Sequence, residues 1–171
     1  MAHLILSVVG SDRPGLTEAL AKAVLLAGGN WLESHLSQLG GLYVGSVLVD
    51  LEAGSIDALR TAVAEVDAQG LEVRIAPALA AQAASGETVA FSVVGQDRPG
   101  IVAQVTGVLS GLHANIETFE TRLSVEPHSG APLFHMDARL RLPSTLSAAA
   151  VQAALEDISG EIMVDVTVGQ R

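Results

Sequence analysis

The nine residues Ser7–Gly15, Ser-Val-Val-Gly-Ser-Asp-Arg-Pro-Gly, recur at Ser92–Gly100 with one change, Ser11 to Gln96. The same spacing of 85 positions carries Leu16 onto Ile101, Leu20 onto Val105 and Asn30 onto Asn115. Agreement across a rigid turn and the helix-patterned stretch behind it marks an internal duplication, so the chain must fold as two copies of one architecture. Any account of the first copy therefore has to hold for the second.

Each copy has the same order of elements. Leu4–Val9 and Val89–Val94 are short apolar runs that end at a turn, the pattern of a buried strand. Pro14 and Pro99 then stand near a helix start, where a missing N–H costs nothing. Leu16, Leu20, Ala23 and Ala27 form one apolar stripe at helical spacing, and Ile101, Val105, Val108 and Leu112 form its match. Gly28-Gly29 stops the first helix, with His113-Ala114 in the equivalent place. Trp31–Leu39 and Leu42–Leu51 flank Gly40-Gly41, a pair suited to a two-residue hairpin. The second hairpin, Ile116–Val125 and Leu133–Leu142, has six more residues in a Pro- and Gly-containing loop.

A second helix is expected from Ile56, Leu59, Val63 and Val66 behind Ser55, a good N-cap, and from Val151, Leu155 and Ile158. Gly70 and Gly160 end these helices, and Leu71–Ile75 and Ile162–Val168 are final strands. The order β-α-β-β-α-β is the ferredoxin-like split βαβ plan. The expected fold is thus α+β, with two such domains at residues 1–78 and 88–171, joined by a linker at 79–87. Each has an antiparallel sheet with helices on one face.

Composition narrows the function. Nine basic against nineteen acidic side chains give a net charge of −10 and a pI near 4.7. Lys22 is the sole lysine and the arginines are scattered, so the clustered cations that grip a phosphate backbone are missing. Aromatics at 3% offer no base-stacking platform. Direct nucleic-acid binding is therefore not expected. Mean hydropathy is +0.44, but no apolar run reaches the roughly 18 to 20 residues of a membrane span, and the start lacks the features of a signal peptide. With no cysteine, thiolate catalysis and disulfides are excluded, and the expected location is cytoplasmic. The motifs of serine hydrolases, zincins, dinucleotide-binding folds and P-loops do not occur, so neither an enzyme nor a cofactor is expected. Metal binding by His128 and His135 has little support, since two ligands rarely suffice.

The repeated turn carries the binding chemistry. A helix start leaves N–H groups without intrahelical partners and bears partial positive charge, which suits a carboxylate. The candidate ligand-binding residues are Asp12, Arg13, Gly15, Leu16 and Asn30 in the first copy. Their counterparts are Asp97, Arg98, Gly100, Ile101 and Asn115. Glycine lets a ligand approach the backbone, and Asn30 and Asn115 are expected beside the turn with both donors and an acceptor. Asp12 and Asp97 would either cap the helix or accept from a ligand ammonium. The plainer reading is that Asp caps, Pro starts and Gly turns, with Arg13 and Arg98 solvated.

The Val-Gly-x-Asp-Arg-Pro-Gly turn, followed one helix later by Asn and an apolar residue, resembles the ACT domain, and it occurs twice. Two such units resemble the glycine cleavage system transcriptional repressor family, with Pro127–Phe134 (Pro-His-Ser-Gly-x-Pro-Leu-Phe) adding to the likeness. The resemblance implies a small amino acid ligand, glycine or serine, held at interfaces between paired ACT domains. It also implies a protein partner such as a DNA-binding activator, and pairing into a homodimer. Two alternatives remain: a ligand-independent interaction or dimerisation module, and a regulatory fragment of a metabolic enzyme. In formyltetrahydrofolate deformylase a catalytic domain follows similar units, whereas here the chain stops after the last strand.

Overall fold

A computed structural model describes residues 1–79, 86–158 and 162–168. The chain divides into two compact units, Met1–Gln82 and Ala83–Arg171. Most of the expected linker at 79–87, and Gly160 as a helix stop, lie outside the described residues.

Unit 1 runs β1 (Ala2–Ser11), α1 (Leu16–Leu26), β2 (Asn30–Leu39), β3 (Leu42–Leu51), α2 (Ile56–Asp67) and β4 (Leu71–Pro77). Its strands form an antiparallel sheet in the order β2-β3-β1-β4. Unit 2 repeats this with β5 (Glu87–Gln96), α3 (Ile101–Gly111), β6 (Asn115–Val125), β7 (Pro132–Leu142), α4 (Ala148–Glu156) and β8 (Ile162–Val168), in the order β6-β7-β5-β8. Both units have the ferredoxin-like βαββαβ plan.

Period-two alternation decides which face of each sheet is covered. In unit 1, Leu4, Leu6 and Val8 of β1 and Val47, Val49 and Leu51 of β3 point into one core. There they meet Leu16, Leu20, Ala23 and Ala27 of the first helical stripe, and Leu59, Val63 and Val66 of the second. Unit 2 builds its core from Val89, Phe91 and Val93 against Ile101, Val105, Leu109, Val151 and Leu155. Leu109 is fully buried, while Val108 and Leu112, expected in the stripe, are only partly covered. Trp31 packs against the edge of the unit 1 core, as its apolar ring requires.

Local chemistry sets the boundaries. Both Gly40 and Gly41 have positive φ, as a type I′ hairpin turn demands. Gly10 admits β4: a Cβ there would come within 2.3 Å of the Gly70 carbonyl oxygen. Pro14 lies in the turn immediately ahead of α1, near the helix start as expected, with Gly15 at the N-cap position and the helix beginning at Leu16. One expectation fails. Ser55 makes no side-chain cap, since a 3₁₀ turn at Ala53–Ser55 already leads into α2; Ser147 does cap α4, accepting from the Ala150 N–H at 3.2 Å.

His113 follows α3 with φ of 56°, where unit 1 has Gly28 at 72°. The left-handed conformation costs a residue bearing a Cβ about 1–2 kcal/mol, partly offset by the greater chain entropy of glycine when unfolded. His113→Gly should therefore stabilise unit 2 by about 0.5–1 kcal/mol, read as a higher urea midpoint at unchanged slope.

Candidate functional site: the two turn clefts

The turn between the central strand and the first helix has the same Asp-Arg-Pro-Gly sequence and the same glycine conformation in the two units. Arg98-Pro99-Gly100-Ile101 closes with a hydrogen bond from the Ile101 N–H to the Arg98 carbonyl at 3.3 Å. Gly100 sits at φ 86°, ψ −1°, and Gly15 at 94°, −9°. Proline at the second position and a positive-φ glycine at the third define a type II turn. The glycine is thus demanded by the backbone. A Cβ at either position would meet no protein atom within 4 Å, so the space above each turn is open.

No side chain caps α1 or α3. Asp12 and Asp97 therefore do not cap. Instead the Asp12 carboxylate accepts from Gln38 Nε2 at 2.7 Å, across to the end of β2. The Thr17 hydroxyl shares a 2.7 Å hydrogen bond with the Tyr43 hydroxyl at the start of β3. Asp12, Arg13, Gly15, Leu16, Thr17 and Tyr43 line a cleft of about 360 Å³.

In unit 2 Asp97, Arg98, Gly100, Ile101, Val102, Leu123 and Phe134 are among the residues lining a wider, open cleft of about 660 Å³. Arg98 donates to the Gln104 side chain at 2.7 Å. The side chains of Leu16 and Ile101 are 3% exposed and belong to the cores, so these two form cleft floor.

Asn30 and Asn115 are not beside the turns, contrary to expectation. Asn30 opposes Asp50, which opposes His3 at the beginning of β1, whereas the turn follows Ser11 at the other end of that strand. Helix α1 carries the chain back along the sheet, so β2 starts at the far end, about 30 Å away at the usual rise per residue. Asn115, opposite Arg141, lies likewise. What the sheet does bring to the turn is the end of β2 and the start of β3. Gln38, Tyr43, Leu123 and Phe134 were missed for that reason; strand direction in the antiparallel order would have found them.

A second polar cluster lies on the sheet face of unit 2 away from the helices. Asp137 accepts from the Ser92 hydroxyl and from Arg122, each at 2.7 Å, and His135 Nε2 pairs with the Ser124 hydroxyl at 2.7 Å. The Ser92 hydrogen bond first, and Arg122 second, hold the Asp137 carboxyl below its ordinary pKa. His128 stands on the exposed β6–β7 turn, and among the described residues no group of three potential metal ligands assembles. Among those residues, too, no helix is long and apolar enough to cross a membrane.

The ACT domain family matches residues 2–76, the whole of the first βαββαβ unit. The chain has a tandem ACT fold. Across its length the chain is similar to the glycine cleavage system transcriptional repressor of Escherichia coli (strain K12). The two are 22% identical over 165 residues, which span 94% of this chain and 85% of the relative. Among solved structures, an unknown protein from Galdieria sulphuraria superposes with a TM-score of 0.83 at 29% identity, covering 96% of both chains. A structure provisionally assigned as a glycine cleavage system transcriptional repressor has a TM-score of 0.70 at 17% identity, covering 98% of both, and shares the fold.

A depressed carboxyl pKa stabilises the fold at pH above the ordinary carboxylate range, and that contribution disappears as pH falls through the folded-state value. Asp137→Asn should therefore melt slightly below the parent protein at pH 7. The gap should close in acid, below about pH 4, in a series of melting curves against pH.

Proposed function

We propose that this tandem ACT protein is a non-catalytic metabolite sensor that binds a small amino acid at its turn clefts and passes the binding state to a protein partner. The observation that carries this reading is the duplicated turn. Twice the chain sets a helix start without a side-chain cap beside an Asp-Arg pair, over space that glycine leaves open. Free N–H groups and the helix dipole favour an α-carboxylate there, and an aspartate favours an α-ammonium. The smaller cleft of unit 1, lined by the Thr17 and Tyr43 hydroxyls, suits the smallest polar amino acids, glycine or serine.

Similarity to the glycine cleavage repressor supports a transcriptional output, and the net charge of −10 supports reaching DNA through a protein partner such as a DNA-binding activator. We place the protein in the cytoplasm as a homodimer. Asn30 and Asn115, far from their own turns, we assign to interfaces with other ACT domains. A residue boundary near 78–88 separates the two sensing units.

A ligand-independent interaction module is the competing reading, favoured by Leu25 and Leu26, which are 72% and 80% exposed at the end of α1.

The deciding experiment is thermal melting of the full chain against each amino acid at millimolar concentration. A ligand at 100 times its dissociation constant adds about 2.7 kcal/mol, a shift of several degrees. The expected result is a shift with one or more amino acids that is lost in Asp12→Ala/Asp97→Ala. No shift with any amino acid overturns the sensor reading in favour of the interaction module.

A further inference from the structure

The two turn clefts are copies whose chemistry has diverged. In unit 1 two side-chain hydrogen bonds engage groups that line the cleft, Gln38 to Asp12 and Thr17 with Tyr43, each at 2.7 Å. Carried through the repeat, Gln38 corresponds to Leu123 and Thr17 to Val102. Tyr43 pairs with Gly10 on β1 as Phe134 pairs with Gly95 on β5, so Phe134 is its counterpart. Three of the four bridging side chains have become apolar, and neither bridge can form in unit 2.

Three consequences follow from those replacements. The unit 2 cleft is the larger, about 660 Å³ against 360 Å³. Its wall carries an apolar stretch beside Thr121 and Arg122: Val102 and Leu123 are 39% and 61% exposed, with Phe134 buried behind them. Asp97 has lost the donor that occupies Asp12, and among the described residues no side chain donates to it. Among the described residues, Arg98, next in sequence, is held only by the neutral Gln104 amide.

An unpaired carboxylate and a guanidinium beside an uncovered apolar wall complement a zwitterion with an apolar side chain. A segment of a folded protein offers no adjacent free ammonium and carboxylate. We propose that the unit 2 cleft binds an amino acid with an aliphatic or aromatic side chain, distinct in class from any ligand of unit 1. Asp97 takes the α-ammonium, Arg98 takes the α-carboxylate, and Val102, Leu123 and Phe134 take the side chain. This rests on the reading of the turns as amino-acid sites and assigns them different ligands.

Calorimetric titration of the full chain with leucine, phenylalanine, glycine and serine tests it. Leucine or phenylalanine should bind the parent protein. Val102→Thr/Leu123→Gln, which restores the unit 1 identities at two exposed positions, should weaken that binding at least tenfold. Any affinity for glycine or serine should stay unchanged. Asp97→Asn, a second exposed position, should weaken leucine and phenylalanine in the same way. Binding of glycine or serine alone, or apolar binding indifferent to both variants, overturns the inference while leaving the turn sites standing. Absence of binding by any amino acid overturns the turn sites themselves, and the inference with them.

Discussion

The positive φ at the glycine of the Arg-Pro-Gly turn fixes most of what each unit does. Gly15 and Gly100 reverse the chain at the end of the central strand, so that the next residue, Leu16 or Ile101, drops into the core as the first of a buried stripe. A residue with a Cβ resists that conformation. Proline ahead of it sets the preceding φ. Once the helix start is pinned in this way, the stripe at helical spacing lands against the alternating residues of the sheet without further adjustment. The same geometry leaves the helix start without a side-chain cap and opens the space above it. The feature that organises the fold is therefore also the one that provides a binding surface.

Duplication makes the two units a comparison already performed within one chain. The backbone devices are kept in both: the type II turn, the Gly10 and Gly95 positions at the strand end, and the strand irregularity one residue after Trp31 and after Ile116. Of the side chains around the turn, the aspartate and arginine are kept, but Gln38, Thr17 and Tyr43 are not. The side-chain hydrogen bonds beside the unit 1 cleft give way to hydrocarbon in unit 2, over a core that stays apolar in both. Retention of the turn alongside replacement of its rim separates what folding needs from what a ligand or partner would read. The glycine and proline belong to the first group. Gln38, Thr17 and Tyr43, with their counterparts, belong to the second.

The sequence disclosed the architecture well, because its signals are local. Strands show as apolar runs, helices as stripes such as Leu16–Leu20–Ala23–Ala27, and turns as glycine pairs or Pro-Gly. It disclosed the site only in part. The turn residues are contiguous and repeated, so they stand out. Asn30 follows one helix later and invites the same grouping, yet an 11-residue helix returns the chain to the opposite end of the sheet. The residues truly beside the turn, Gln38 and Tyr43, arrive through the hairpin, and nothing in their own neighbourhood announces them. The Ser92–Asp137–Arg122 cluster was hidden for the same reason: its members sit on three strands and meet only through sheet register.

A sensor needs its bound state to alter something a partner can detect, and a ligand shifts an equilibrium only by its differential affinity for two states. On the proposed reading, the surface best placed to change is the one the ligand itself covers. In unit 2 that is Val102 and Leu123, apolar groups open to water in the unliganded fold. Val125, at 67% exposure, shares their strand face one pleat further along β6. Filling the cleft removes Val102 and Leu123 from contact and substitutes the ligand's outer edge, while Val125 stays available. A partner that docks on this stripe would then meet different chemistry in the two states without any movement of the backbone. Such a readout requires no long-range pathway through either core, which suits units whose interiors are packed on one sheet face only.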